Sequence, residues 1–127
     1  MGITTYPPQG YWGERYPFRT VARSWDVIVP QDYWRIRRRP YTAADAYRYV
    51  QDSLAGIRAA SGRPHVPIEV LGQTFDIFGN GVNSPTAPEI LAAARAARDG
   101  HAIGISFFEW NHATPEEWDA IARLPRW

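Results

Sequence analysis

The chain has 127 residues, of which 45% are hydrophobic and 21% charged, and its net charge is +1. That is the size and balance of one globular domain, 1–127, long enough to bury about two-thirds of its unfolded surface. The near-neutral charge speaks against a nucleic-acid partner or an anionic membrane. No apolar run reaches the roughly 18 residues of a membrane helix. Cys is absent and all 14 basic residues are Arg, which excludes disulfides, thiolate metal sites, a Cys nucleophile and Schiff-base or Walker-type lysine chemistry.

Four short apolar runs read as buried strands: Gly2–Tyr6, Asp26–Gln31, Val66–Leu71 and Ala102–Phe108. The first follows Met1 directly, so no signal peptide is expected. Helices alternate with the strands. A short one is expected over Phe18–Arg23. Thr42 is a good N-cap with Asp45 three residues on, and Tyr47, Val50, Leu54 and Ile57 then form one apolar face that stops at Gly62. The next helix starts at Thr86, with Pro88 in its first turn and Glu89 as capping-box residue, and carries Ile90, Leu91, Ala94 and Ala97 to Gly100. The last repeats that start with Thr114, Pro115 and Glu117, and is expected to turn Trp118, Ile121 and Leu124 inward. Four βα units in this order point to an α/β fold with a parallel sheet.

Three segments resemble a known family. Gly-Ile-Thr-Thr-Tyr-Pro at Gly2–Pro7, Asp-Val-Ile-Val-Pro-Gln-Asp-Tyr-Trp at Asp26–Trp34 and Gly-Ile-Ser-Phe-Phe-Glu-Trp at Gly104–Trp110 look like the last four strands of a glycoside-hydrolase-type TIM barrel. The set they resemble is the lysozyme-like and peptidoglycan-hydrolase-like barrels of actinobacteria and their phages. There, one strand ends Pro-Gln-x-Tyr-Trp and the last ends in an aromatic-rich Phe/Trp-x-Trp. The resemblance implies four βα units, half of a (β/α)8 barrel, since eight units take about 250 residues. Three arrangements remain open: a piece whose N-terminal half lies elsewhere, two copies closing one ring as a homodimer, or a small open doubly wound sheet.

In a barrel, chemistry sits at the C-terminal ends of the strands. The resemblance therefore implies a glycan site built from Tyr6, Gln31, Tyr33, Trp34, Gln73 and Trp110 as substrate contacts, with Glu109 and Asp76 as the candidate catalytic carboxylates. Glu109 is flanked by Phe107, Phe108 and Trp110, apolar surroundings of the kind a general acid needs. Because side chains alternate along a strand, Glu109 and Trp110 cannot both face the interior, and the resemblance favours Trp110. Asp32 reads as a loop residue, Asp26 as a hydrogen-bonding carboxylate at the opposite end, and Glu69 as paired with an Arg between sheet and helix. Arg35, Arg37, Arg38 and Arg39 read as a solvated loop. Trp12, Trp25, Trp118 and Trp127 default to packing.

His65, His101 and His112 have no metal-binding spacing, and no glycine-rich phosphate loop or Gly-x-Ser-x-Gly elbow occurs, so no metal or cofactor is expected. The function implied is a part of a glycan-handling, glycoside-hydrolase-like protein directed at cell-wall polysaccharide, with a polysaccharide or oligosaccharide as partner. The alternative is a non-catalytic carbohydrate-binding or structural module of a phage tail or envelope. By resemblance alone, an extracellular, envelope or phage location is favoured.

Overall fold

The computed structural model describes residues 1–10, 15–36, 41–76, 78–79 and 83–127. Its elements alternate: β1 (Gly2–Thr5), α1 (Phe18–Ser24), β2 (Val27–Pro30), α2 (Ala43–Ser61), β3 (Glu69–Gln73), α3 (Ala87–Asp99), β4 (Gly104–Phe108), a 3-10 turn (Trp110–His112) and α4 (Pro115–Ala122). The fold is mixed helix and strand, with two parallel two-stranded sheets, β1–β2 and β3–β4. Isolated parallel bridges Ile28–Ile68 and Gln31–Leu71 join the inner strands of the two pairs. Trp12, Arg37, Arg38 and Arg39 lie outside the described residues.

The capping chemistry sets the helix limits. Thr42 accepts from the Asp45 N–H while the Asp45 carboxylate accepts from the Thr42 N–H, and Thr114 and Glu117 do the same at α4. Gly62 ends α2 at φ 68°, a left-handed conformation that glycine adopts without strain. Strand limits shift more. β3 begins at Glu69 rather than Val66 and runs on to Gln73, because Pro67 lends only its carbonyl, to the Ile28 N–H.

Side-chain alternation divides the strands into two faces. Ile28, Ile68 and Val70 point one way and are fully buried against Phe18, Val21 and Ala22 of α1, Val50, Leu54 and Ile57 of α2, and Ala93, Ala96 and Ala97 of α3. The strand register puts Ile105 and Phe107 of β4 on that same face, where they border a cleft of about 180 Å³ shared with Trp118, Ile121 and Leu124 of the α4 region. The helices pack in chain order, α1 on α2, α2 on α3 and α3 on α4. The other face carries Gly2 and Thr4, Val27, Val29 and Gln31, Glu69 and Leu71, and Gly104 and Ser106, all partly or largely exposed. Among the described residues no helix covers it. A doubly wound sheet has helices on both faces, so that arrangement is not the one seen.

Three inward assignments need correcting. Leu91 is 41% exposed and Trp118 45%. Leu91 lies on the outer side of α3, and Trp118 borders the open cleft beside β4. Glu69 is not between sheet and helix; on the open face, it accepts a hydrogen bond from Ser106 at 2.9 Å across the β3–β4 pair.

Packing is tight where β3 crosses beneath the rings. A Cβ added to Gly72 would lie 2.9 Å from Phe107 Cε1 and 3.3 Å from Trp34 Cζ3. Gly72→Val is therefore expected to lower unfolding free energy by about 1–3 kcal/mol, read as a reduced urea midpoint with an unchanged slope.

Candidate functional site

All four strands run parallel, so their C-terminal ends share one rim of the molecule. Two layers of residues occupy that rim. The deeper one is a buried polar clamp. Glu89, at the start of α3 and 1% exposed, accepts hydrogen bonds from the Trp34 indole at 2.9 Å, from Arg35 Nε at 2.7 Å and Nη2 at 2.5 Å, and from the Thr86 hydroxyl at 3.0 Å. Burial alone would raise the Glu89 carboxyl, but the hydrogen bonds and charge of Arg35 and the Trp34 bond outweigh it, and the net shift is downward. The Arg35 N–H in turn donates to Gln73 Oε1 at 2.9 Å, and the Gln73 amide donates to the Phe75 carbonyl. The Asn83 amide donates to the Arg35 carbonyl. The loop after β2 is thereby tied to the loop after β3.

This clamp decides the place of three expected site residues. Trp34 is 1% exposed and Gln73 fully buried; both belong to the scaffold beneath the rim. Asp76 accepts from the Phe78 N–H at 2.8 Å and the Asn83 N–H at 3.1 Å, which uses both its oxygens to shape the β3–α3 loop. Arg35 is buried too, against the expectation of a solvated Arg loop, because only the guanidinium fork satisfies Glu89 on two oxygens at once.

The outer layer is aromatic and carries the carboxylate of Glu109. Tyr33 meets Phe75 edge-on at 5.1 Å between centroids and stacks on Phe108 at 6.3 Å; Phe75 meets Phe108 edge-on at 5.8 Å. β4 is fastened to β3 here by the Thr74 N–H to the Phe108 carbonyl and the Thr74 hydroxyl to the Glu109 carbonyl. Glu109 Oε2 lies 3.0 Å from His112 Nδ1, with its side chain 35% exposed. Burial, with the Glu109 charge adding to it, pushes the Tyr33 hydroxyl up to about 12, so Tyr33 is a neutral donor at any ordinary pH. Trp110, 74% exposed, instead borders the α4 cleft. Glu109, rather than Trp110, sits on the Tyr33 side, the reverse of the expected order. Tyr6 is 50% exposed at the end of β1, and Gln31 is partly exposed on the open face. The structure thus gathers Tyr33 and Glu109, adds Phe75, Phe108 and His112 to them, and leaves Tyr6 three strands away.

Asp32 lies in the loop after β2, as expected, but it is not a surface residue. It is fully buried on the helix-facing side, and neither carboxyl oxygen has a hydrogen-bond partner among the described residues; the nearby Ser53 hydroxyl is buried and unpartnered as well. Burial pushes the Asp32 carboxyl well above the usual carboxylate range, offset only in part by the approach of Ser53. Asp26, by contrast, is exposed and pairs with the amino group of Met1, which lowers its pKa.

Among the described residues no three His, Asp or Glu gather as metal ligands would, and no helix is long and apolar enough to cross a membrane. Comparison with family models, curated proteins and solved structures gives no significant match to this chain.

The two buried acids pull stability in opposite directions with pH. Glu89, lowered on folding, contributes above its unfolded pKa and loses that contribution as pH falls through its folded value. Asp32, raised on folding, contributes fully below its unfolded pKa and loses it as pH rises through its folded value. Urea unfolding from about pH 4 to about pH 9 should show Asp32→Asn removing the loss of stability that accompanies rising pH. Glu89→Ala should cost about 3–5 kcal/mol at neutral pH by stranding Arg35.

Proposed function

We propose that the chain is a glycan-handling half barrel of glycoside-hydrolase type, its four βα units forming one side of a mouth in which Glu109 is the acid–base carboxylate. One observation carries this proposal. At the C-terminal ends of parallel strands, a partly exposed carboxylate is set 3.0 Å from a histidine nitrogen and beside a neutral tyrosine hydroxyl, with exposed aromatic faces around it. Sugar recognition calls for this combination: flat rings for pyranose faces, and oriented polar groups for hydroxyls. Phe108, 45% exposed, and Tyr33 supply the rings nearest Glu109; Tyr6 and Gln31 lie further along the same rim. The sequential parallel order and the uncovered sheet face favour a half barrel over a self-contained sheet.

Hydrolysis of a glycosidic bond uses two carboxylates about 5–5.5 Å or about 6.5–9.5 Å apart. Asp76 has both oxygens committed to its own loop. The second carboxylate therefore comes from whatever completes the mouth. The same observation favours a second reading, a non-catalytic carbohydrate-binding module that keeps the aromatic rim without an acid pair.

Soluble cell-wall oligosaccharides titrated into the purified chain separate the two. Tyr33→Ala and Phe108→Ala should each weaken binding by about tenfold. Glu109→Gln should leave binding within a factor of about two while abolishing product release by chromatography; product release that survives Glu109→Gln contradicts the catalytic role, and no binding by the unaltered chain contradicts the glycan assignment.

A further inference from the structure

Three features of the molecule are left unsatisfied. The outer edges of β1 and β4 have no strand partner among the described residues. The open sheet face leaves Val27, Val29 and Leu71 partly exposed. At the β4 end, the apolar cleft beside α4 is left open, with Trp110 and Trp118 exposed on it. Unpaired edges of this kind are normally blunted or covered, and an apolar sheet face is normally packed.

We propose that a second copy of this chain covers all three, two half barrels closing one eight-stranded ring about a two-fold axis that runs along the strands. Such an axis preserves strand direction, so β4 of each protomer lies parallel to β1 of the other, in the same sense as every existing pair. Both edges are then used, twice over, with nothing left unpaired. Eight strands are the number whose interior side chains just fill a closed barrel, and Val27, Val29 and Leu71 of the two protomers, with the polar Thr4, Gln31, Glu69 and Ser106, supply that filling. The cleft beside α4 falls where α1 of the other protomer would pack, the position each helix in the chain already holds against the next. A net charge of +1 sets no repulsion against self-association. The pairing brings both copies of Glu109 to one mouth, and so supplies a second carboxylate from the same sequence.

The proposal rests on the half-barrel reading of the fold and not on glycan as the ligand. Light scattering on the unaltered chain across a concentration series should give a stable mass of twice 14.4 kDa. Because the chain has no Cys, Thr4→Cys combined in turn with Cys at each position of β4 should yield a covalent dimer on mild oxidation, and Thr4→Cys alone should not. A monomer at every concentration, another oligomer, or a dimer that Thr4→Cys links to itself or that no β4 position links overturns the proposal. A dimer that binds no oligosaccharide would leave this assembly standing and remove the glycan assignment; a monomer that binds one would do the reverse.

Discussion

Parallel strands laid down in chain order leave the helices only one place to go. A right-handed crossover returns the chain to the same sheet face each time. When every new strand is added on the same side of the last, all crossovers fall on that one face. Here α1, α2 and α3 bury Ile28, Ile68 and Val70, and the reverse face, with Val27, Val29 and Leu71, is left partly open. The core, the unpaired edges and the location of the rim all follow from this one-sidedness. Had the order reversed at any point, helices would cover both faces, and a ligand would be expected in the crevice at the reversal instead.

The rim needs a second constraint, because loops after parallel strands have no ladder to hold them. Glu89 provides it by joining the loop after β2 to the start of α3 through Trp34 and Arg35. A buried charge pair is worth little against an apolar replacement, yet it is costly to break by halves and geometrically specific. Its effect here is to fix Trp34 and Gln73 below the rim and so to define which rings, Tyr33, Phe75 and Phe108, form its surface. Glu109 then projects beside Tyr33, with His112 one turn further on holding its carboxylate.

Helices were legible in the sequence because their signals are local. Thr42 with Asp45, Thr114 with Glu117 and Gly62 act within a few residues, and each does in the structure what its spacing implies. Thr86 with Glu89 shows the limit. The pattern is the same as at Thr114, but Glu89 turns away from the backbone to partners more than fifty residues distant in sequence, and no local rule distinguishes the two. Arg35 was misplaced for the same reason: a charge next to other charges reads as solvated until the neighbouring loop is seen to cover it, and the burial of Asp32 within its loop had no local signal either. Strand existence was legible from β-branched runs, while the limits of β3 depended on which backbone groups β2 and β4 could meet. Of the rim, Tyr33 and Glu109 were within reach because they follow strand ends, although alternation with the resemblance had turned Trp110 inward in place of Glu109; Phe75, whose only signal is a ring shortly after a strand, was not.

Closure of two half barrels would pair the outer edges of β1 and β4. Backbone amide hydrogen exchange reads this residue by residue, since an edge amide open to water exchanges far faster than one in a ladder. If two half barrels close, the alternate amides of β1 and β4 that point away from β2 and β3 should be protected as strongly as those at the β1–β2 junction. Their protection should also fall away on dilution below the dissociation constant. Rapid exchange along both outer edges at high protein concentration, with slow exchange retained at the inner pairs, would contradict closure and leave an open four-stranded unit.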